Sequence, residues 1–576
     1  MAATPARLGS SSAATLVTLP PSRIVPRPDA VAGLAQRLGL TRTAATVLVA
    51  RGLDDPDHAE HFLSPRLSDL TAPDAMAGRQ AAAERLASSV RRHERVCVFG
   101  DYDCDGITAN AILTGVLRRL GAEVVPLLAS RFDGGYGVTP AAADRIAATG
   151  ATLLVTCDCG SSDHEVLEQL GRGGRDVVVI DHHLVPDEPL PVLAFLNPHR
   201  PECGFPYKHL ASCGLVLSVA AALRARVGAK IDLREELDLV AIGTIADVAR
   251  LDGDNRRLVR AGLERLRAAA RPGIRALGEL ARLTPEFPVT GEDVAFRLAP
   301  RLNAPGRLGA PDLALELLLA GSLDRARGLA AEIEQSTIER RAQQDRICAE
   351  ARLDIERQGW ADRPALVLGR PGWNHGLVGI VAGRLAAEFE RPVAVVGFDD
   401  AGLGRGSVRG PRGARLHDAL GGLAEVLERF GGHQAAAGLE VRWARLTELR
   451  ERFEAAYAEG FVADSKPDEV VPLCATDDPE RVVADLERLE PCGEGNPAPL
   501  LEVEADVVAA RRVKGDHLKI EVEWGSGRRL AGFGVGLGAQ ADQLRGRVQL
   551  VGRMRRDRWR GGRAVELGIE RVRGVS

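Results

Sequence analysis

No stretch of the 576 residues runs for roughly 18 apolar positions without a charge, so no helix is expected to cross a bilayer. Cysteine is sparse and unpatterned. Nine residues, at 97, 104, 157, 159, 203, 213, 348, 474 and 492, form an odd, scattered set that argues against a disulfide framework and suits a reducing compartment. Cys157 and Cys159 are spaced C-x-C, but no second close pair completes a structural zinc site, and both read as buried or tolerated thiols. A strong excess of charge is lacking too: a net −4 excludes a uniformly basic nucleic-acid coat and leaves only a local basic groove. The first 25 residues lack the basic start and apolar run of a signal peptide, so a disordered leader over 1–27 and a cytoplasmic setting are expected.

Apolar residues make up 45% and charged residues 27%, values of a globular chain with substantial cores. Residues 28–94 read as helices with polar turns. From 95 onward short apolar runs alternate with helical stretches: "RVCVFGD", "AEVVPLLA", "ATLLVTCD" and "DVVVID" as strands, "ITANAILTGVLRRLG" and "DHEVLEQLGR" as helices. That pattern implies α/β architecture with a parallel sheet buried on both faces, here over 95–310. A long connecting helix is expected over 311–357 and a smaller α/β lobe over 358–462. The short strands of 463–576 suggest an antiparallel, OB-like domain for nucleic acid.

Ligands of open α/β sheets gather beyond the carboxyl ends of the strands. Asp101, Asp158 and Asp181 each end a predicted strand, "LDLVAIGTIADV" is a further apolar run ending in Asp247, and "DHH" at 181–183 adds two imidazoles. An Asp after one strand is more often a turn or cap; four such segments together argue for a site. In "DYDCDG", Asp101, Asp103 and Asp105 alternate and could face one side of an extended segment. An EF-hand is excluded, because the twelfth loop position would be Ile112 or Thr114 rather than Glu. Dense carboxylates with histidine and no thiolate cluster suit Mg²⁺ or Mn²⁺, and the imidazoles favour Mn²⁺. Two such cations about 3.5–4 Å apart would neutralise the aspartates and make a hydrolytic centre for phosphoesters.

"DYDCDG" (101–106), "CDCG" (157–160), "DHH" (181–183) and "GTIADV" (243–248) resemble, in order, the four motifs of the DHH phosphoesterases. The resemblance extends to the bacterial RecJ single-strand-specific exonucleases through "VLVARGLDDPDHAEHFLSP" (47–65), "APRLNAPGRLG" (299–309), "GSVRG" (406–410), "GGHQAAAG" (431–438) and "LEPCGEGNPAP" (489–499). It implies a DHH lobe, a DHHA1 lobe and an OB domain. It also implies metal ligation by Asp103, Asp105, Asp158, His182 and Asp247, with Asp101 assisting and Asp158 bridging two ions. His183 would orient or protonate at the scissile phosphate, and Asp181 would hold an imidazole. The activity implied is Mn²⁺-dependent hydrolysis of single-stranded DNA from its 5′ end, in recombination and repair, with a helicase or single-strand-binding protein as a partner class. Cys104 and Ser161 depart from the residues usual in the family, and Asn374 and His375 stand where a leading His is usual, so His375 receives no role from it.

A polymer nuclease also needs a grip on phosphates beyond the cut. Ser407 and Arg409 in "GSVRG" supply a hydroxyl and a guanidinium suited to a 5′ phosphate. Arg301, Asn303 and Arg307 form a second polar set, and His433 is expected at a helix start that binds phosphate. Each of these alone reads equally well as a surface salt bridge or a cap. Residues 541–576 hold ten arginines against four acids, with Trp559 among them, the composition of a strand-binding surface that stacks bases. Two other readings compete: a phosphodiesterase for short or cyclic oligonucleotides, which would not need the C-terminal domain, and a scaffold without catalysis, which would not need the acids and histidines intact.

Overall fold

The computed structural model describes residues 22–24, 26–458, 469–525, 527–558, 561–562 and 564–574. The chain divides into two compact units, one of residues 60–462 with 487–498, the other of residues 1–59, 463–486 and 499–576. The helical segment expected over 28–94 is therefore split between them.

The larger unit holds two sheets. The first is built of β1 (Arg95–Gly100), β2 (Glu123–Leu128), β3 (Leu153–Cys157), β4 (Asp176–Ile180) and β5 (Ala194–Leu196), in the order β2-β1-β3-β4-β5. Every pairing is parallel. Alternate residues of β1 serve different cores: Val96 and Val98 pack on one face of the sheet, Cys97 and Phe99 on the other, all fully buried. Burial on both faces is why these strands read as unbroken apolar runs. Helix α1 (Cys104–Arg119) follows β1, and the buried Asn110 pins it there, its amide donating to the Val98 and Leu127 carbonyls at 2.9 and 2.8 Å. Helices α2 (Ser212–Val227) and α3 (Leu237–Ala246) complete that face.

Helix α3 corrects the sequence expectation. "LDLVAIGTIA" is no strand; nearly every side chain of this run is buried, and a helix apolar on all faces gives no amphipathic period to separate it from a buried strand. The expected connecting helix is likewise two helices, Asp312–Leu318 and α5 (Leu323–Gln358), with α4 (Ala299–Arg307) before them. Ser322 restarts the chain as an N-cap, its hydroxyl accepting from the Arg325 N–H.

The second sheet comprises β6 (Leu366–Pro371), β7 (Val393–Phe398), β8 (Leu403–Arg409), β9 (Arg429–Gly432) and β10 (Ala436–Arg442), in the order β9-β10-β8-β7-β6. Only the β6–β7 pair is parallel. Helix α6 (Val378–Phe389) packs on β7 and β8.

In the smaller unit, β11 (Glu469–Pro472) leads into β12 (Leu500–Val513), β13 (His517–Trp524), β14 (Arg528–Gly534), β15 (Arg547–Arg556) and β16 (Val565–Gly574). The long β12 pairs with both β13 and β15, which closes strands β12 to β16 into a barrel and confirms the OB-like reading. Within the barrel β14 and β16 pair in parallel, and β11 joins β12 in parallel from outside it. Of the expected leader, Ser22 and Arg23 pair in parallel with β11, while residues 1–21 lie outside the described residues. No helix among the described residues is long and apolar enough to cross a membrane.

Candidate metal centre

The strand order β2-β1-β3-β4-β5 places a topological switch point between β1 and β3, where open α/β sheets bind their ligands. Asp101 follows β1 and Asp158 follows β3, one on each side of that crevice. Gly106 makes the β1–α1 turn possible, since a side-chain carbon there would lie 2.5 Å from the Asp101 carbonyl oxygen. Asp103 is the N-cap of α1, its carboxylate accepting from the Asp105 and Gly106 N–H groups at 3.0 and 3.3 Å. The three alternating aspartates thus do not line one face of an extended segment. They occupy a strand end, a cap and a first helical turn, and the turn of α1 is what brings them together.

The other ligand candidates arrive from separate elements. Asp105 rests on the start of α2, where the Ser212 and Cys213 N–H groups donate to its two oxygens at 2.6 and 2.9 Å, at the positive end of the helix dipole. Asp158 has φ +68°, a left-handed conformation that an Asp tolerates better than most residues, and its Oδ1 accepts the Ser212 hydroxyl at 2.9 Å. Asp247 is the C-cap of α3. His182 Nε2 stands 3.3 Å from Asp158 Oδ1 and 3.8 Å from Asp247 Oδ2. Asp181 accepts from His183 Nδ1 at 2.8 Å and from the His182 and Ser161 backbone N–H groups, so it is wholly engaged in holding the His-His segment.

Three overlapping groups result, each with one ligand atom per residue and all such atoms within 4.8 Å: Asp101, Asp103 and Asp158; Asp158, His182 and His183; Asp105, His182 and Asp247. Asp158 and His182 are each shared between two of them. Burial, and then the charge of Asp103, holds the Asp101 carboxyl well above the usual carboxylate range. Burial with repulsion from Asp105, Asp103, Asp101 and Asp247 does the same to Asp158. Asp247 is pushed up to about 7 by burial and then by Asp105. Burial alone would lower His182, but Asp247 and Asp105 outweigh it and raise its basicity. Asp101 Oδ1 and His182 Nε2 are buried without a hydrogen-bond partner among the described residues. Mutually repelling carboxylates, with two buried polar atoms left unpaired beside an imidazole, form a donor set that suits divalent cations.

The chain matches the family models "DHH family, N-terminal domain" over residues 95–244, "DHHA1 domain" over 362–459 and "RecJ OB domain" over 473–571. It is 34% identical to the single-stranded-DNA-specific exonuclease RecJ of Bacillus subtilis, over 95% of this chain and 70% of that protein. It is 36% identical to the RecJ of Dickeya dadantii, over 86% of this chain and 90% of that one. The chain belongs to the RecJ family. The crystal structure of RecJ in complex with Mn²⁺ from Thermus thermophilus superposes with a TM-score of 0.80 at 31% identity, covering 96% of this chain and 79% of that one. The same protein in complex with Mg²⁺ gives 0.75 at 29% identity, covering 96% and 78%.

The remaining residues expected from the RecJ resemblance fall into distinct settings. Ser407 and Arg409 sit together on β8 beneath the start of α6; a side-chain carbon on Gly379 would lie 3.2 Å from Ser407 Oγ and 3.3 Å from Arg409 Nη2. Arg307 is pushed down to about 9 by burial and then by the nearby Arg131, and Arg131 also lowers Arg409 after burial does. Arg131 therefore repels both Arg307 and Arg409, in the same unit as the acids. Asn303 leaves its Oδ1 buried and unpartnered among the described residues. Arg301 is instead turned to Glu334 of α5 at 2.8 Å, a tie between α4 and α5. His433 also differs from expectation: it lies exposed in the turn between β9 and β10, because "FGGHQAAAG" folds as a hairpin and not as a helix start. Trp559 lies outside the described residues. On β15, Arg553 and Arg555 are paired with Glu570 and Glu566 at 2.7 and 2.9 Å.

Two contributors were not foreseen. Ser212 with the Cys213 N–H orients two of the acids, and Tyr136 places its hydroxyl 2.9 Å from His183 Nδ1 and 3.3 Å from the Asp158 carbonyl. The available signal for Tyr136 was "DGGYG", a glycine-rich turn soon after β2, on the rim that carries the acids.

Proposed function

We propose that this centre is a two-cation phosphodiesterase that degrades single-stranded DNA from its 5′ end, releasing nucleotides, in recombination and repair. The observation that carries the reading is the buried, mutually repelling carboxylate set sharing Asp158 and His182. The names of the RecJ relatives supply the substrate class. Asp101, Asp103, Asp105, Asp158, His182 and Asp247 would hold the ions, Mn²⁺ by preference and Mg²⁺ as the alternative. When bound, two such ions supply a water of lowered pKa and offset charge on the phosphoryl oxygens.

The chain's own residues do the rest. Burial alone would lower His183, but the Asp181 hydrogen bond and charge outweigh it and raise its basicity, which suits a group that gives a proton to a departing oxygen. Asp181 stays ionised: its carboxyl is held below the usual range by His183 despite complete burial. Its role is to fix the ring. Ser407, Arg409 and Arg307, with Asn303, would anchor a terminal phosphate, a set that suits a free 5′ end more than an internal one. The barrel would hold the downstream strand. A helicase or single-strand-binding protein that exposes such strands is the partner class this activity calls for, and a cytoplasmic setting follows from the DNA substrate.

Digestion of one oligonucleotide labelled at its 5′ or 3′ end, with Mn²⁺ and with chelator, tests the proposal. Immediate release of 5′ label as mononucleotide, metal-dependent, is expected. Predominant loss from the 3′ end would overturn the polarity, and digestion unaffected by chelator would overturn the chemistry.

A further inference from the structure

The loop between β2 and the helix Pro140–Ala148 carries Tyr136 onto the metal centre, and it is held from the second lobe. Gly134, Gly135 and Gly137 have φ of +101°, +95° and +87°, a path that gives the loop little stiffness of its own. Part of it is tied within the first lobe: the Val138 N–H donates to Asp163 at 2.7 Å, and the Asp133 and Gly135 N–H groups to the Ser130 carbonyl at 3.2 and 3.3 Å. Its tip meets His375: the Phe132 and His375 ring centroids are 4.5 Å apart.

The neighbours of His375 form a clasp. The Asn374 amide donates to the Arg307 carbonyl at 3.4 Å, and the Arg307 guanidinium donates to the Gly376 carbonyl at 3.0 Å. A side-chain carbon on Gly376 would lie 2.5 Å from the Arg307 carbonyl oxygen, so only glycine lets the two segments approach this closely. His375 Nε2 is buried and unpartnered among the described residues, a cost that a purely apolar packing residue would not carry.

We propose that His375 is a positioning residue for the nuclease reaction: by pinning Phe132 while Arg307 and Gly376 are clasped, it fixes the 129–138 loop and keeps the Tyr136 hydroxyl on His183. The catalytic half of this proposal rests on the nuclease reading above; the pinning of the loop does not. Hydrogen exchange of the full-length, metal-free protein therefore tests the pinning by itself. In His375→Ala, which removes the ring packed on Phe132, the amides of 131–137 should exchange severalfold faster while those of β1 do not change. His375→Phe, which puts a ring back against Phe132, should restore most of the protection. With Mn²⁺ and a single strand, His375→Ala should lower kcat about 10–100-fold, the range for residues that orient a site, with KM within about threefold. Unchanged loop exchange would refute the pinning, as would exchange raised equally throughout the lobe. Faster loop exchange with unaltered kcat in an active enzyme would refute the link to catalysis. An inactive wild-type protein would strike the nuclease reading, and the exchange result would still decide the pinning.

Discussion

Two concentrations of like charge occur in this chain, and the fold treats them in opposite ways. The acids around Asp158 come from four segments of the larger unit into a buried crevice, where two imidazoles stand within 4 Å of their carboxylates. The arginines of β15 lie on the smaller unit's barrel with half-exposed side chains, and Arg553 and Arg555 are each matched by a glutamate on β16. Solvent screens the second group, so it costs little and gives little. Burial leaves the first group unscreened, so the protein carries a local instability that bound cations relieve. The comparison separates a site built to hold ions from a surface that can meet a polyanion.

Asp158→Asn breaks the contrast most sharply. The amide keeps the size and the Ser212 contact and tolerates the left-handed backbone, yet it removes the charge shared by two of the ligand groups. Single-strand hydrolysis should fall by roughly 10³-fold, while the metal-free protein melts no lower than wild type and Mn²⁺ no longer raises its Tm. A melting point well below wild type would mean that Asp158 is structural.

Gly106→Ala attacks the turn instead of the charge. Its new carbon must displace the Asp101 backbone, so stability should drop by about 3 kcal/mol in denaturant titrations, with Mn²⁺ affinity falling alongside. An unchanged midpoint would show that the β1–α1 turn has slack.

The buried acids also set a pH dependence in the metal-free protein. Burial and then Asp105 push the folded Asp247 carboxyl up to about 7, above the about 3.9 of an unfolded chain, so the folded state holds more protons between those values. Stability should accordingly be greatest at low pH within this window and fall as pH rises toward 7. Saturating Mn²⁺ should abolish that fall, because ion binding requires the deprotonated form. Tm measured from pH 5 to 8 with chelator and with Mn²⁺ checks this; parallel curves would contradict it.

The smallest effect belongs to the other region. Arg555→Ala should cost under about 1 kcal/mol of stability, since the Glu566 pair is half-exposed, and should lower the salt slope of single-strand binding by about 0.7. A loss as large as that of Asp158→Asn would erase the distinction drawn above.

Much of the centre was legible in the sequence because parallel strands buried on both faces are written as apolar runs, and the residue ending each run lands on the ligand rim. Asp101, Asp158 and Asp181 were found this way. Asp247 was singled out as a ligand candidate but placed on the wrong kind of element, because a helix buried on every side shows no helical period. The expected extended array of Asp101, Asp103 and Asp105 failed because a spacing of two cannot report where a strand gives way to a helix. Ser212, Tyr136 and the clasp at Arg307 and Gly376 join segments far apart in the chain and leave no local spacing to read. Arg301 shows the converse: its charge was visible, but its Glu334 partner on α5 was not.

The central claim is that the buried acids exist to hold a pair of cations. Anomalous diffraction at the manganese edge from crystals grown with Mn²⁺ tests it directly. Two peaks on either side of the Asp158 carboxylate, both absent in Asp158→Asn, are expected. A cluster without ions in the wild-type crystals, or manganese bound only elsewhere, would contradict the account.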